Sequence, residues 1–315
     1  MRWSTYVSPS DGAERVGVVR DGVVHALRGN DHLIDLLSDP AVLADAGTAA
    51  LADPAETVAE ADAVPCAPIP VPPSIRDFMA FEEHLISSMH AIGREVDPAW
   101  YEIPVFYFTN PAAVRGPKDP VNIAPGSTQF DYELEVAAVI GRAGSDIPVE
   151  RAADHIAGYT VLCDWSARDH QELEMRVGLG PVKGKDTATS LGPWLVTPDE
   201  LAPHAKGKGF DLEMTATVNG EQYSTGNWSA IHWSFAQMIC FASRGTEVRT
   251  GDIIGSGTVG TGCILELARV HGAERYPWLQ AGDQVRLEIE GLGHIETTLK
   301  PGAAVNPLQP AIPYQ

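Results

Sequence analysis

Cysteine and basic residues are both scarce in this sequence. Its 315 residues include four cysteines, none in a C-x-x-C pair: Cys66, Cys163, Cys240 and Cys263. This spacing predicts neither a cysteine-based zinc site nor a disulfide framework. Lys and Arg total 22 against 42 Asp and Glu, a formal net charge of −20. Because phosphate backbones and anionic lipid surfaces repel such a chain, we expect neither nucleic acid nor a membrane as its partner.

Long apolar runs are absent as well. The opening residues, MRWSTYVSPSDG, lack the apolar core of a signal peptide, and no run reaches the ~18 apolar residues of a membrane span. We therefore expect a soluble, cytoplasmic protein. The hydrophobic fraction of 44% is sufficient for a globular core and excludes wholesale disorder.

A proline-rich segment divides the chain into two regions. Residues 15–27 read as a β-hairpin, and an Ala- and Asp-rich stretch with leucines at helical spacing follows over 31–64. Five prolines over 65–73 can continue neither a helix nor a central strand. We therefore predict a small N-terminal β-containing domain at 1–70 and a larger domain at 71–315.

Strand patterns dominate the larger region. FDYELEVAAVIGR, AGYTVLCDW and QVRLEIEGLGHIETTL read as strands, and Asn219-Gly220 marks a tight hairpin. Helical patterns are fewer, and they are predicted at 77–92, 148–156 and 230–243. Since strands and helices do not alternate regularly, the pattern predicts a mixed α+β fold that is mostly β.

Three carboxylates occupy alternate positions in the segment QFDYELEVAAVIG: Asp131, Glu133 and Glu135. A strand here would place all three on one face. The segment continues into the apolar AAVI, and Asp164 ends another apolar run, YTVLCD. A solvated strand face is one interpretation, but carboxylates at the ends of buried strands repel one another unless they are protonated or neutralised by a cation. Oxygen ligands of this kind favour a hard divalent cation, Mg²⁺ first, with Ca²⁺ or Mn²⁺ as alternatives.

The segment DFMAFEEH offers a further carboxylate and a histidine. Phe78, Phe81 and Leu85 follow a helical spacing, and Asp77 is predicted to cap the start of that helix. His84 would then lie two turns further along the same face, roughly 10 Å away along the axis. The alternative is a capping aspartate and a surface histidine. A histidine beside a metal-bound carbonyl substrate would, however, be a natural general base.

Two cations and a glycine-rich loop complete the candidates. Arg168 in DWSARDHQ and Lys185 in GPVKGKD stand in apolar or Gly-rich surroundings, which suits a partner for an oxyanion or carboxylate. Residues 255–260, GSGTVG, match G-x-G-x-x-G. The CILELARV that follows alternates like a strand, so the helix that a dinucleotide site requires is not expected. We therefore expect this loop to approach another kind of ligand.

Seven blocks of this sequence together resemble the fumarylacetoacetate hydrolase family. In chain order, over about residues 75–300, they are RDFMAFEEH, FDYELEVAAVIG, CDWSARDHQ, KGKDTATSLGPW, HWSFAQM, RTGDIIGSGTVG and LELARV. The resemblance implies a C-terminal domain of rolled, mixed β-sheets that holds a divalent cation. It also implies the small N-terminal β-containing domain of the fumarylacetoacetase branch, and a homodimer.

The same resemblance implies a role for each candidate residue. The metal shell would comprise Asp77, Glu133, Glu135 and Asp164, with Lys185 and Thr189 beside them. His84 would activate water and Glu266 would orient it. The developing oxyanion would be stabilised by Lys185 (alternatively Lys183), Arg168 and Gln171. Substrate contacts would come from Tyr107, Met79, Gln171 and Thr258, with Met79 in place of a family tyrosine.

The resemblance further implies an enzyme of aromatic catabolism that cleaves a C–C bond of a 1,3-dicarbonyl. Its substrate would be a small diketo acid, an acylpyruvate or a compound like fumarylacetoacetate. A decarboxylase or an enol–keto isomerase or hydratase of a 2-oxo acid on the same metal site is the alternative. A binding protein for a diketo ligand and a structural β-protein remain further interpretations.

Overall fold

Two β-sheets packed face to face form the body of the molecule; the computed structural model describes residues 1–29, 32–91 and 93–308. Within these residues the strands are β1 (Arg2–Val7), β2 (Glu14–Arg20), β3 (Val23–Ala26), β4 (Thr57–Ala59), β5 (Val64–Pro65), β6 (Ile75–Phe78), β7 (Phe106–Thr109), β8 (Val114–Arg115), β9 (Val121–Asn122), β10 (Phe130–Asp131), β11 (Leu134–Ile140), β12 (Gly144–Ser145), β13 (Ile156–Asp164), β14 (Ser166–Ala167), β15 (Thr189–Val196), β16 (Ala205–Lys206), β17 (Gly209–Phe210), β18 (Glu213–Val218), β19 (Glu221–Asn227), β20 (Glu247–Val248), β21 (Ile253–Gly255), β22 (Gln284–Ile289) and β23 (Gly293–Lys300).

The helices are fewer and mostly short. They are α1 (Leu33–Leu36), α2 (Pro40–Ala52), α3 (Glu82–Ala91), α4 (Val149–Ala152), α5 (Arg168–Met175), α6 (Pro198–Leu201), α7 (Phe235–Ala242) and α8 (Ile264–His271). Short 3₁₀ turns lie at Pro98–Tyr101, Pro111–Ala113, Ala153–His155, Ala202–His204 and Trp228–Ala230. Strand residues outnumber helical ones, which confirms the mixed, mostly β class.

The larger sheet has 12 strands, and its main path runs β4-β3-β2-β1-β15-β13-β11-β21-β6-β7. Most neighbours are antiparallel, but β21 and β6 are parallel, so the sheet is mixed. The N-terminal strand β1 pairs with β15 through Arg2 opposite Val196. The first residues of the chain therefore belong to the same sheet as the later strands, and the domain boundary near residue 70 stays a prediction.

The central strands β11, β13 and β15 are buried on both faces. The smaller sheet, β19-β18-β22-β23-β9, packs on one face, where Val136, Ala138 and Val161 join its apolar side chains. On the other face Ala137 and Val139 pack with apolar residues of α1 and α2. This double burial explains why the AAVI segment is continuously apolar instead of alternating.

Both predicted hairpins are confirmed. Asp21 and Asn219 adopt positive φ ahead of Gly22 and Gly220, and they turn β2 into β3 and β18 into β19. Such paired positive φ values are those of the two-residue turns that match strand twist. The predicted helices at 148–156 and 230–243 are present in shortened form as α4 with its following 3₁₀ turn, and as α7.

Two predictions about helices were wrong, one about where a helix begins and one about whether a segment is a helix. Asp77 does not cap a helix: it lies within β6, and α3 begins five residues later at Glu82. The segment after the glycine-rich loop is not a strand but helix α8, with Ile264, Glu266 and Leu267 buried. Its apolar residues satisfy a strand alternation and a helical spacing equally well, so periodicity alone could not decide between the two.

None of the helices within the described ranges is long and apolar enough to cross a bilayer.

Candidate active site

Adjacent strands bring the predicted metal ligands together at one edge of the larger sheet. Asp164 ends β13 opposite Thr189, which begins β15. Glu135 lies at the start of β11, beside the end of β13. Asp77, on β6, is in register with Gly255 at the end of β21. Residues far apart in sequence thus meet because their strands terminate at the same edge.

The cluster is buried and strongly acidic. Asp77, Glu133 and Glu135 place one carboxylate oxygen each within 4.8 Å of one another. Lys185 Nζ donates to Glu133 at 2.5 Å and lies 2.8 Å from Asp164. Arg168 also contacts Glu133, so two cations face four carboxylates and negative charge is left to be neutralised.

Several oxygens of this cluster have no hydrogen-bond partner in the described part of the chain. They are Asp77 Oδ1, Glu135 Oε1, Asp164 Oδ1 and Thr189 Oγ1. Buried acceptors without partners are costly, and all four are the hard oxygen donors that Mg²⁺ and Mn²⁺ prefer. The residues present therefore fit a divalent cation. They do not discriminate Mg²⁺ from Mn²⁺ or Ca²⁺.

The protonation equilibria reflect the same excess of charge. Burial raises the pKa of Asp164 to about 8, although Lys185 opposes the change. Burial also raises the pKa of Glu135 well above its usual range, and the neighbouring Asp77 and Glu133 carboxylates add to this effect. At Glu133 burial acts in the same direction, but Lys185 and Arg168 outweigh it and hold the pKa below its ordinary value. A cation bound here would relieve the repulsion between carboxylates that helps to raise the pKa values of Asp164 and Glu135.

His84 and Glu266 form a buried pair beside this cluster. The Nδ1 atom of His84 lies 2.8 Å from Glu266 Oε2, and both side chains are almost completely buried. His84 comes from α3 and Glu266 from the first turn of α8, two helices that pack together. The pairing that the resemblance implied is therefore present. The expectation that Asp77 and His84 share one helix face is wrong, because a strand end and a loop separate them.

Arg168 connects the cluster to the start of α8. Its guanidinium lies 2.8 Å from both Asp131 and Glu133, and it donates to the side-chain oxygen of Gln171 at 3.1 Å. Asp131 also accepts the backbone N–H groups of Ile264 and Leu265. Asp131 and Glu133 thus lie on one side of the chain, as the alternation predicts. Asp131, however, binds Arg168 and the start of α8 and lies outside the carboxylate cluster.

The glycine-rich loop 255–260 lies against the site. A side chain at Gly255 would come within 2.5 Å of Asp77 Oδ1, and one at Gly257 within 2.2 Å of the Phe78 carbonyl oxygen. The helix that the sequence did not predict does follow this loop. Its first N–H groups are nevertheless bound by Asp131, so they are not free to bind a dinucleotide phosphate.

The residues predicted to contact substrate differ in their burial and in their distance from the carboxylates. The Tyr107 hydroxyl lies 3.0 Å from an Asp77 carboxylate oxygen and also forms a hydrogen bond with Asp164, so it contacts the carboxylate cluster directly. Met79 is partly buried, and its carbonyl accepts from Trp100 Nε1 at 2.8 Å. Thr258 is buried within the glycine-rich loop. The alternative lysine, Lys183, is exposed and pairs with Asp186, away from the four carboxylates.

Two residues near the site were missed by the sequence analysis. Cys263 lies 3.5 Å from Glu266, at the N-cap of α8. A strand interpretation of that segment hid the i, i+3 spacing that places both residues on one helix face. Glu174, near the end of α5, accepts three backbone N–H groups of the loop that leads to Lys185. No pattern in the sequence indicates this contact.

Known proteins resemble this chain in both sequence and structure. The profile of the fumarylacetoacetate (FAA) hydrolase C-terminal family matches residues 74–300. A protein of Burkholderia multivorans, named only as a hydrolase, is 37% identical over 191 residues, which span 60% of this chain and 63% of that relative. The chain thus covers less than two thirds of the length of this relative.

Solved structures match almost the whole chain. A fumarylacetoacetate hydrolase from psychrophilic Exiguobacterium antarcticum is 26% identical with a TM-score of 0.74, covering 96% of this chain and 99% of that one. A probable 2-hydroxyhepta-2,4-diene-1,7-dioate isomerase from Mycobacterium abscessus is 25% identical with a TM-score of 0.72, covering 96% and 100%.

The maleylpyruvate hydrolase from Sphingobium sp. SYK-6, in complex with manganese(II) ion and pyruvate, is 25% identical with a TM-score of 0.71, covering 96% of this chain and 100% of that one. These similar structures include both hydrolases and an isomerase, and one of them binds a divalent metal ion. With the family profile matching most of its length, this chain belongs to the fumarylacetoacetate hydrolase family.

Proposed function

We propose that the protein is a divalent-cation-dependent hydrolase that cleaves a C–C bond of a small 1,3-dicarbonyl acid, an acylpyruvate or a compound like fumarylacetoacetate. The observation that carries this proposal is the buried His84–Glu266 pair beside an incompletely neutralised carboxylate cluster. When bound there, a divalent cation, Mg²⁺ first with Ca²⁺ or Mn²⁺ as alternatives, supplies Lewis-acid polarisation of a carbonyl oxygen. Asp77, Glu133, Glu135 and Asp164 would hold it, with Lys185 and Thr189 beside them.

His84 serves as the general base in this proposal. Because Glu266 binds Nδ1, the proton of the neutral imidazole sits on that atom and Nε2 is left as the acceptor. Nε2 takes a proton from water, and Glu266 stabilises the imidazolium that results. A positioned base of this kind contributes about 10²–10⁴-fold to the rate.

Lys185, Arg168 and Gln171 provide the donors for the developing oxyanion. Lys185 uses its ammonium group on Glu133 and Asp164, which leaves a third N–H to donate. The Gln171 side-chain oxygen accepts from Arg168, so its NH₂ group remains as a donor. One such donor contributes roughly 3–4 kcal/mol to transition-state stabilisation. The hydroxide formed at His84 adds to the carbonyl carbon, and the carbon–carbon bond then breaks with its electron pair leaving on an enolate. The His84 imidazolium returns its proton to the enolate carbon, and two acids are released.

Isomerisation on the same site is the second candidate. It is favoured by the similarity to the probable isomerase from Mycobacterium abscessus, at a TM-score of 0.72. An enol–keto isomerase or a decarboxylase does not need a water-activating pair, whereas a hydratase, which also consumes water, does. The His84–Glu266 contact therefore supports hydrolysis over isomerisation and decarboxylation. A role in aromatic catabolism and a homodimer remain part of the proposal.

A panel of acylpyruvates and fumarylacetoacetate tests the reaction. Each compound is followed by the loss of enol-diketone ultraviolet absorbance, with Mg²⁺ or Mn²⁺ and with chelator, and the products are identified by mass. We expect cation-dependent formation of two acids. Release of CO₂, or a product of unchanged mass, would contradict hydrolysis and favour the second candidate.

A further inference from the structure

Beside the carboxylate cluster lies a second group of donors with different chemistry. His84 Nδ1, Cys263 Sγ and a carboxylate oxygen of Glu266 lie within 4.8 Å of one another, and all three residues are buried. Glu266 Oε2 is 2.8 Å from Nδ1 and 3.5 Å from Sγ. The proposed reaction uses His84 and Glu266 but gives the thiol no task.

Two packed helices hold these donors in place. Cys263 is the N-cap of α8 and Glu266 lies in its first turn, so an i, i+3 spacing brings both side chains to one face. Helix α3 packs against that face and contributes His84. The backbone of Cys263 also bridges to Glu133 of the carboxylate cluster. The two donor groups are therefore neighbours on a common framework.

The two groups suit different cations. One offers carboxylate and hydroxyl oxygens, which favour Mg²⁺ and Mn²⁺, whereas the other combines imidazole, thiol and carboxylate, which favour Zn²⁺. Zinc often binds three protein ligands and keeps a fourth position open. A thiolate and a carboxylate on one tetrahedral zinc ion would lie about 3.5 Å apart, which agrees with the separation of 3.5 Å between Sγ and Glu266 Oε2.

We propose that His84, Cys263 and Glu266 form an inhibitory site for a thiophilic divalent cation such as Zn²⁺. Binding displaces the Cys263 S–H proton to solvent and moves the single imidazole proton of His84 from Nδ1 to Nε2, and the ion takes the position between His84 and Glu266. The imidazole is then no longer supported as a base, while the carboxylate cluster keeps its own cation. The inhibitory effect rests on the proposed function; the binding does not.

Cobalt(II) tests the binding without any turnover. The full-length protein, saturated with Mg²⁺, is titrated with Co²⁺ while thiolate-to-cobalt charge-transfer absorption is recorded in the near ultraviolet. We expect this band in the wild type and in the control Cys240→Ala, whose half-buried cysteine lies on α7. We expect no band in Cys263→Ala. A band that persists in Cys263→Ala, or its absence from the wild type, overturns the site.

A second variant keeps the test decisive if Cys263→Ala does not fold. His84→Gln retains the thiolate band but should bind Co²⁺ at least about tenfold more weakly. Unchanged affinity would contradict the participation of His84.

Inhibition is measured with Zn²⁺ against a background of excess Mg²⁺, each variant being compared with its own zinc-free rate. We expect chelator to reverse inhibition of the wild type and Cys263→Ala to need at least ~100-fold more Zn²⁺. Equal sensitivity of the two proteins would overturn inhibition through this site. A cobalt band in a protein that hydrolyses none of the diketo acids would support the metal site and overturn only the proposed hydrolase.

Discussion

His84 presents a single nitrogen for chemistry, because Glu266 holds Nδ1 at 2.8 Å. Replacing His84 by Gln removes the proton acceptor without removing a carboxylate from the metal cluster. We expect kcat to fall by about 10²–10⁴-fold, while the Mg²⁺-dependent rise in Tm is kept. Initial rates and thermal unfolding measure the two effects.

His90 is the matched control for this substitution. It lies in the last turn of the same helix and is exposed. His90→Gln should leave both kcat and the Mg²⁺ response unchanged. Near-normal hydrolysis by His84→Gln would contradict the assignment of the base.

Asp131 acts through the groups that it positions. It binds Arg168 and two N–H groups at the start of α8, so it joins the arginine to the helix that carries Glu266. Asp131→Asn leaves Arg168 with one carboxylate fewer in a buried place. We expect a loss of about 3–5 kcal/mol in the free energy of unfolding, together with a lower kcat of the folded protein.

A substitution in another buried ion pair distinguishes the loss of stability from the loss of kcat. Asp252 lies 3.0 Å from Arg76 and makes no contact with the four carboxylates of the cluster. Asp252→Asn should lose stability to a similar extent in urea unfolding but keep the kcat of the folded fraction. Equal kcat values for both variants would show that Asp131 is only structural.

At the scale of elements, the loop between α5 and β15 delivers Lys185 to the site. Glu174 accepts the N–H groups of Val182, Lys183 and Gly184 at 2.8, 2.7 and 3.1 Å. Burial opposes the charge of this carboxylate, yet the backbone donors lower its pKa. The charged carboxylate therefore fixes the loop immediately ahead of the lysine.

Removing this carboxylate should loosen the loop. We expect Glu174→Ala to lower kcat by about tenfold, since hydrogen bonds to a charged group contribute roughly 1.5–3 kcal/mol. Glu174→Gln keeps one acceptor oxygen and should recover part of the rate. Glu172→Ala, an exposed change on the same helix, is the control. If Glu172→Ala and Glu174→Ala have equal kcat values, the loop does not depend on Glu174.

The sequence was sufficient to predict those elements whose residue pattern is compatible with only one type of secondary structure. Asn219-Gly220 specifies its hairpin locally, and the AAVI run matches a strand buried on both faces. The start of α3 was misplaced because Asp77 and Phe78 satisfy a helix pattern, although pairing with β7 and β21 keeps them in a strand. Tertiary pairing of this kind leaves no local signal.

At the scale of the whole molecule, the site exists because several strands end at one edge of a single sheet. Alternation predicted that Glu133 and Glu135 share a face, but no local rule places Asp77 and Asp164 beside them. Asp164 was grouped with them because it ends an apolar run, and Asp77 was added only through the family resemblance. The register of the sheet, which depends on the entire core, determines them.

A fold that gathers so much negative charge should depend on its cation for stability. At an ion concentration 100 times the dissociation constant, binding adds about 2.7 kcal/mol to the free energy of unfolding. For a chain of this size we expect Mg²⁺ or Mn²⁺ to raise Tm by about 5 °C relative to chelator. Thermal unfolding with each ion measures the rise. An unchanged Tm with every divalent cation would contradict the metal site.

A substitution of Glu135 distinguishes the destabilisation caused by carboxylate repulsion without the cation from the stabilisation that the bound cation provides. Burial and the adjacent Asp77 and Glu133 carboxylates disfavour its charged form, whereas an amide could still accept the Gly257 N–H that now binds Oε2 at 3.0 Å. Glu135→Gln should therefore unfold at the same or a higher Tm than the wild type in chelator, and lose the rise on adding Mg²⁺. Glu172→Gln, which neutralises an exposed glutamate, should keep that rise. If Glu135→Gln were instead strongly destabilised in chelator, repulsion would not be the dominant energy at this position, and its carboxylate would be needed for folding before any ion binds.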